Sequence, residues 1–355
     1  MKKVKTTIIG CGRVAEHYKK IIKKYKIKNL LIVGVCDLDK KKALNFSKFF
    51  KCKYYKDFKK MQLLEKPKLT LVLSPSGYHY MHSKHALENN INVLTEKPMT
   101  MLPENINKLN KIAKKNKLMY GVVFQNRENL AIQALKKALK QKRFGKIVNI
   151  SVNIFWCRYQ DYYNDGWHGT WKNDGGVLNQ QAIHHVDVLN WLFGPIHSVF
   201  AKSTKRLNKL QAEDTIIVAF ENIDGVLGTI QATTAARPTD YEASIKVFGE
   251  KGYVQIGGIA LNKILVWNFL SKKKNDTQIK KKYSETVDSG YGNSHSIVLN
   301  KTLKRLISNN FNALVSADQA ENTSRLIHSI YNSCENKKLV LLNKRLLSKK
   351  LGLNN

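Results

Sequence analysis

The sequence predicts an α/β domain joined to an α+β domain: an N-terminal doubly wound parallel sheet of Rossmann type, then a C-terminal domain with an open, mostly antiparallel sheet. Three observations carry that expectation. Short apolar runs alternate with helical patterns up to about residue 123, as βαβ units do. The first of these turns is glycine-rich, Gly10-Cys11-Gly12-Arg13-Val14-Ala15. From about residue 140 strands instead follow one another across short Gly or Asp-Gly turns, which implies antiparallel neighbours. The expected domains are 1–123 and 124–355, and 355 residues are enough for two domains of ordinary size.

Val4 to Ile9 reads as a buried strand running into the glycine turn, with a helix following through Ile21 and Ile22. In such a GxGxxA turn Gly10 allows the tight bend and Gly12 lets backbone approach a pyrophosphate. The small Ala15 lets the helix pack on the strand. The anion would rest on the helix N-terminus, at Arg13 and Val14, where N–H groups are unspent. The second strand, Leu30 to Cys36, ends in Asp37, 22 residues past Ala15 and placed for the adenosine ribose hydroxyls; the plainer alternative is that Asp37 only starts the next helix. Leu38 follows, with no arginine to pair a 2′-phosphate, so NAD is favoured over NADP.

A short third strand lies around Lys53–Tyr55, and the fourth, Leu69 to Leu73, ends in Ser74-Pro75-Ser76-Gly77. Ligands of doubly wound sheets sit outside the carboxyl ends of the strands, which puts Ser74 and Ser76 on the nicotinamide side. Next comes a helix with histidines at three-residue intervals. No carboxylate or cysteine joins them, and the third drifts off the shared face, so no metal site is expected. His79, nearest the loop, would touch cofactor; His82 and His85 would lie on the surface. A fifth strand, Ile91 to Leu94, runs into Thr95-Glu96-Lys97-Pro98. The residue before a proline is held extended, so Lys97 stands at the mouth of the sheet, where a lysine beside a dinucleotide points to proton handling next to a hydride acceptor. A helix over roughly 103–117 and a strand from Leu118 to Val123 complete six strands. Gln125-Asn126-Arg127 follows that strand end; substrate contact and a plain polar linker both suit it.

The second half contains a helix from Leu130 to Gln141 and a long strand from Ile147 to Trp156. After an aromatic loop come strands near 199–204, 215–220, 226–233, 243–248 and 253–256, then closing helices of which 317–332 is clearest. Within the loop stands Trp167-His168-Gly169-Thr170-Trp171, followed by Gly175-Gly176 and a helix beginning near Val177. On one continuous helix Gln180, His184 and Asp187 share a face. Two tryptophans, two glycines and two histidines so close together favour a site over a solvated stripe.

The bulk numbers exclude several classes. A formal net charge of +35, from 61 Lys and Arg against 26 Asp and Glu, would suit nucleic acid or an anionic membrane. The lysines, however, are spread over nearly every helix and not gathered on one segment with interleaved aromatics, so no nucleic-acid partner is expected. Five scattered cysteines without a CxxC pair argue against a disulfide framework or structural zinc. No apolar run is long enough for a signal peptide core or a membrane span, and the expected location is the cytoplasm.

The GxGxxA turn, Glu96-Lys97-Pro98 and the Gly-Gly…His-x-x-Asp helix, in this order and spacing, resemble the Gfo/Idh/MocA family of sugar dehydrogenases over nearly the whole chain. Gln125-Asn126-Arg127, Trp156-Cys157-Arg158, Tyr162-Tyr163 and Trp167-x-Gly169-Thr170-Trp171 resemble a narrower branch that oxidises the 3-hydroxyl of UDP-N-acetylglucosaminuronate in bacterial surface-polysaccharide pathways. The resemblance implies NAD as cofactor, a homo-oligomer (dimer or tetramer), and Lys97 and His184 as the catalytic pair. It adds Glu96, Lys97, Gln125, Trp167 and His168 to the expected cofactor contacts. Lys97, Asn126, Arg127, Arg158, Gln180, His184 and His295 would hold the substrate. The chemistry agrees: an ammonium can stabilise a developing alkoxide, and an imidazole with an ordinary pKa near ~6.5 can accept the proton. Asp187 would orient a ring nitrogen or serve only in packing. Two departures stand out. Gln180 replaces an aspartate that many members carry and cannot act as a base, and His168 stands where the branch commonly has arginine. Arg158 could pair a sugar carboxylate or a structural acid. The rival readings are a dehydrogenase of another sugar or polyol, such as an inositol, and a dinucleotide-binding sensor without turnover.

Overall fold

The computed structural model describes residues 2–353; Met1 and Asn354–Asn355, the outermost residues of the two expected domains, lie outside it. The chain divides into two units, Met1–Phe124 with His295–Glu321, and Gln125–Ser294 with Asn322–Asn355.

The first unit alternates strand and helix: β1 (Val4–Ile9), α1 (Arg13–Tyr25), β2 (Leu30–Cys36), α2 (Lys40–Phe50), β3 (Lys53–Tyr55), α3 (Phe58–Glu65), β4 (Leu69–Val72), α4 (His79–Glu88), β5 (Asn92–Thr95), α5 (Pro103–Lys115) and β6 (Tyr120–Val122). The six strands pair in parallel in the order β3-β2-β1-β4-β5-β6. The order reverses between β1 and β4, so their carboxyl ends flank the switch point where doubly wound sheets bind ligands. Caps explain several starts: the Asp39 carboxylate accepts from the N–H groups of Lys41 and Lys42 ahead of α2, and Asp57 does the same for α3. One segment differs from the expected division. His295–Ile307, anticipated with the second domain, packs in the first unit because its apolar residues Val298, Leu299, Leu303 and Leu306 complete the cluster built on Ile8, Leu69 and Leu71.

The second unit contains α6 (Leu130–Lys140), β7 (Ile147–Phe155), α7 (Val177–Gln180), α8 (Ile183–Phe193), β8 (Ile196–Thr204), β9 (Thr215–Asn222), β10 (Leu227–Thr233), β11 (Glu242–Gly249), β12 (Gly252–Gly257), β13 (Lys263–Phe269) and α9 (Ile279–Tyr283). After α10 (His295–Ile307) and α11 (Ala317–Asn336) comes β14 (Val340–Leu341). The eight strands run β13-β12-β11-β7-β10-β9-β8-β14. All pairs are antiparallel except β7 with β10. One face, with Val152, Val218, Ile230 and Ile245, is buried; the other leaves Phe200, Ile217, Leu227, Phe248 and Tyr253 exposed.

The helix expected from Val177 through Asp187 is in two pieces. Val177 C=O accepts from the N–H groups of both Gln181 and Ala182, 3.1 and 2.8 Å away, and α8 starts afresh at Ile183. Gln180 therefore ends one short helix, while His184 and Asp187 lie on the next.

Candidate active site

In the first unit, sequence and geometry converge at the carboxyl ends of β1, β2, β4 and β5. Gly10 has φ of +95°, and a Cβ there would stand 2.6 Å from the Leu73 and Ser74 backbone, so only glycine fits. Gly12 is different: a Cβ on it would meet nothing within 4 Å. It caps α1 without any side-chain hydrogen bond, which leaves open space beside the N–H groups at Arg13 and Val14. That arrangement fits the phosphates of a dinucleotide. Asp37 is fixed from both sides, Oδ2 accepting from Cys11 N–H at 2.7 Å and Oδ1 from Asp39 N–H at 2.8 Å. Each carboxylate oxygen keeps acceptor capacity for a ribose hydroxyl.

Several expected ligand contacts prove to be internal braces. His79, only 1% exposed, places Nδ1 2.7 Å from Pro98 O and Nε2 2.8 Å from Ser74 O. It ties the loop after β4 to the turn carrying Lys97 and is spent on backbone, not on cofactor. His82, expected on the surface, is buried beneath Phe58, with Nδ1 2.8 Å from Ser74 Oγ. Burial, with His79 adding to it, pushes its pKa down to about 3. Glu96 is buried too. Tyr18 donates to its Oε1 at 3.0 Å, and His295 Nε2 stands 3.5 Å from the same atom. Burial pushes this carboxyl up, but His295, Lys97 and Tyr18 together hold it below its ordinary value. His295, expected on substrate, is thus a partner of Glu96, packed edge-on against His17 and Tyr18. Lys97, half-buried, follows Glu96 in the chain and donates its backbone N–H to Glu96 Oε2 at 3.3 Å.

The second unit gathers the remaining candidates. His184 is 8% exposed, and Gln125 Nε2 lies 3.5 Å from its Nε2. Gln125 Oε1 and Asn126 Oδ1 are buried without a hydrogen-bond partner among the described residues, which is uncommon for native acceptors and fits groups awaiting a polar ligand. Arg127 departs from expectation. Its Nε and Nη2 donate to both oxygens of Asp187 at 2.7 Å, and Thr323 donates to Oδ1 at 3.0 Å. This buried fork braces α8, so neither Arg127 on substrate nor Asp187 on a ring nitrogen describes their contacts. Arg158 Nη1 meets Asp240 Oδ1 at 2.8 Å and its guanidinium lies over Trp156, the structural alternative, with part of its fork still exposed. His168 Nδ1 lies 2.5 Å from Asp165 Oδ2, its ring 3.7 Å from Trp167. Beside it opens a cavity of about 540 Å³ lined by Tyr163, Lys205, Asn208, Lys209 and Gln211. Gln180 is buried at the end of α7.

Sequence reasoning passed over Glu213 and Tyr331. Glu213 Oε1 accepts from Leu178 N–H at 3.0 Å and from Tyr331 O–H at 2.9 Å. The available signal was the acidic pair Glu213-Asp214 abutting an apolar strand, where two exposed carboxylates would do nothing. Among the described residues no group of three or more His, Cys, Asp or Glu is placed to hold a metal ion, and no helix is long and apolar enough to cross a membrane.

Two family models match the chain: one described as an oxidoreductase family with an NAD-binding Rossmann fold, over residues 4–124, the other as the GFO/IDH/MocA C-terminal domain, over residues 132–255. Among solved structures, the WlbA dehydrogenase from Chromobacterium violaceum in complex with NADH and UDP-GlcNAcA is 31% identical with a TM-score of 0.88, covering 96% of both chains. The WlbA dehydrogenase from Bordetella pertussis, in complex with the same two molecules, is 29% identical with a TM-score of 0.90, covering 96% of this chain and 98% of that one. Glucose-6-phosphate 3-dehydrogenase from Bacillus subtilis is 26% identical over 71% of this chain and 73% of its own length. The curated relatives are matched over 40–73% of their length.

Proposed function

The chain belongs to the Gfo/Idh/MocA family of NAD-binding oxidoreductases, and from that premise we propose that it oxidises the 3-hydroxyl of UDP-N-acetylglucosaminuronate. The observation that supports this reading most is the likeness, over 96% of the chain, to two dehydrogenases in complex with NADH and that sugar nucleotide.

Gly10, Gly12, Arg13, Val14 and Asp37 would hold the dinucleotide. When bound, NAD supplies the acceptor for the hydride leaving the sugar carbon. The chain's own residues handle the proton and the charge. Lys97 donates a hydrogen bond to the substrate oxygen and stabilises it as it becomes alkoxide-like. The His79 and Glu96 braces fix the turn from which Lys97 extends. His184 takes the hydroxyl proton on its imidazole, with Gln125 alongside it. Gln180, unable to act as a base, binds sugar hydroxyls, and the free edge of Arg158 meets the uronate. Lys205 and Lys209 supply positive charge suited to a diphosphate. The open sheet face joins protomers into a homo-oligomer.

The test is nicotinamide absorbance and product mass with this sugar nucleotide and NAD, beside Lys97→Ala. The expected result is a 3-keto product and a loss of about 10²–10³ in kcat in the variant. A second reading, oxidation at the same carbon of another glucose-derived sugar, is favoured by the curated glucose-6-phosphate 3-dehydrogenase relative. Turnover of glucose 6-phosphate without turnover of the sugar nucleotide would replace the first reading by the second. NAD binding with no turnover of either, even with 2-oxoglutarate added to regenerate NAD, would leave a dinucleotide sensor.

A further inference from the structure

The segment that delivers Gln180 and His184 is anchored at one carboxyl group. Three successive backbone N–H groups at its start end on Glu213 or its partner. Gly176 N–H donates to Tyr331 Oη at 3.2 Å, Val177 N–H to Glu213 O at 3.0 Å, and Leu178 N–H to Glu213 Oε1 at 3.0 Å. The fit leaves no slack, since a Cβ on Gly176 would stand 2.2 Å from both Glu213 O and Oε2. Glu213 is 3% exposed, and Oε2 has no hydrogen-bond partner among the described residues. Two donors therefore converge on one oxygen while the other faces glycine backbone.

That asymmetry selects a charge state. An ionised carboxylate spreads its charge over both oxygens, and half of it would be buried with no donor. A carboxylic acid keeps Oε1 as the carbonyl acceptor and carries only a neutral hydroxyl at Oε2. Among the described residues the titratable groups facing it offer no cation: Asp214 follows it in the chain, Tyr331 and Cys334 face it from α11, and α7 presents only backbone N–H groups.

We propose that Glu213 is a positioning residue for the candidate active site: as a neutral acid it seats the Gly175-Gly176 turn and so holds Gln180 and His184, and its ionisation loosens that seat. This rests on the reading of Gln180 and His184 as site residues. Burial is the main reason its pKa is raised, to about 7, with Asp214 adding to it, while the N–H groups of Leu178 and of Glu213 itself and the Tyr331 O–H pull the other way. The sign follows. The native state binds the proton more tightly than the unfolded chain, so the seat is fully made at acidic pH and weakens as pH rises through about 7. Gly175, at φ of +77°, and Gly176 are the residues whose peptides can turn a donor toward the new charge.

The test is amide hydrogen exchange of residues 176–185 in the full chain at about pH 6 and about pH 9, corrected for base-catalysed exchange. The expected result is a loss of protection on the order of tenfold at the higher pH in wild type, and a change within about twofold in Glu213→Gln, which keeps the acceptor but cannot ionise. Equal changes in both proteins, or no change in wild type, would overturn the proposal. Should the glutamine variant not fold, Tyr331→Phe removes a donor that favours the anion. The loss should then move to higher pH, and an unmoved transition would overturn it equally. With a turned-over sugar in hand, kcat should fall above about pH 7 in wild type and hold level in Glu213→Gln. Because exchange needs no substrate, failure of the enzymatic reading leaves this test intact.

Discussion

Arg127 shows how a residue can be placed correctly in a chain and still be given the wrong task. Its position after β6 suggested substrate, but its fork closes on Asp187, with the two side chains 7% and 0% exposed. Removing one partner of such a pair strands a charge in the interior, which costs about 3–5 kcal/mol. Arg127→Ala is therefore expected to lower the unfolding free energy by about that amount in urea titration; a raised KM at unchanged stability would instead restore the role on substrate. The same limit recurs at His79, Glu96 and His295. Each was legible as a polar residue near a strand end or loop, and the turn chemistry of Gly10, the register of Asp37 and the pre-proline Lys97 were legible as well. What the sequence could not disclose was the partner: Pro98 lies 19 residues from His79, and Asp187 lies 60 from Arg127. Glu213 was invisible for the same reason, since Leu178 and Tyr331 reach it from 35 and 118 residues away.

Among the elements, those defined by local patterning were the readable ones. Apart from the exposed β3, the parallel strands of the first unit are largely buried runs bounded by turn residues, so their order of appearance was plain. The break between α7 and α8 was not, because no proline or glycine marks it; the Ala182 N–H turns back to Val177 O and closes α7 despite a continuous helical pattern. The burial of α4 on His82 was missed because histidine's polarity says nothing of a neighbouring Phe58. β13 and β14 escaped notice as short or bulged strands whose pairing supplies most of their definition. The glycine turn gives a prediction at this scale that separates folding from binding. Gly10→Ala forces a Cβ into backbone at a positive φ and should destabilise by about 1–3 kcal/mol. Gly12→Ala adds a methyl into open space at an ordinary φ, and stability should change by only about 0.5 kcal/mol. If the pyrophosphate occupies that space, Gly12→Ala should nonetheless weaken NADH binding in a fluorescence titration, and unchanged affinity would place the phosphates elsewhere.

For the whole molecule, charge and shape make opposing demands. An eight-stranded sheet with Phe200, Ile217, Leu227, Phe248 and Tyr253 exposed on one face presents apolar surface of the kind that marks an interaction site. Joining two copies of a chain with net charge +35 brings like charges together, a repulsion that salt relieves. Apolar association is not weakened by salt in the same way. The open-face reading therefore makes a signed prediction: assembly should strengthen as ionic strength rises, the reverse of an interface held by ion pairs. The position to test is Ile217, which lies mid-strand between Lys202 on β8 and Gln231 on β10. Because it is already exposed, Ile217→Asp should leave the melting temperature nearly unchanged, within about 0.5 kcal/mol of stability beyond any linkage to assembly. A buried carboxylate at a subunit contact would be far costlier, so light scattering should show the particle mass fall to half or less. An unchanged mass in this variant would move the interface off the sheet, and an assembly that weakens with salt would assign it to charge.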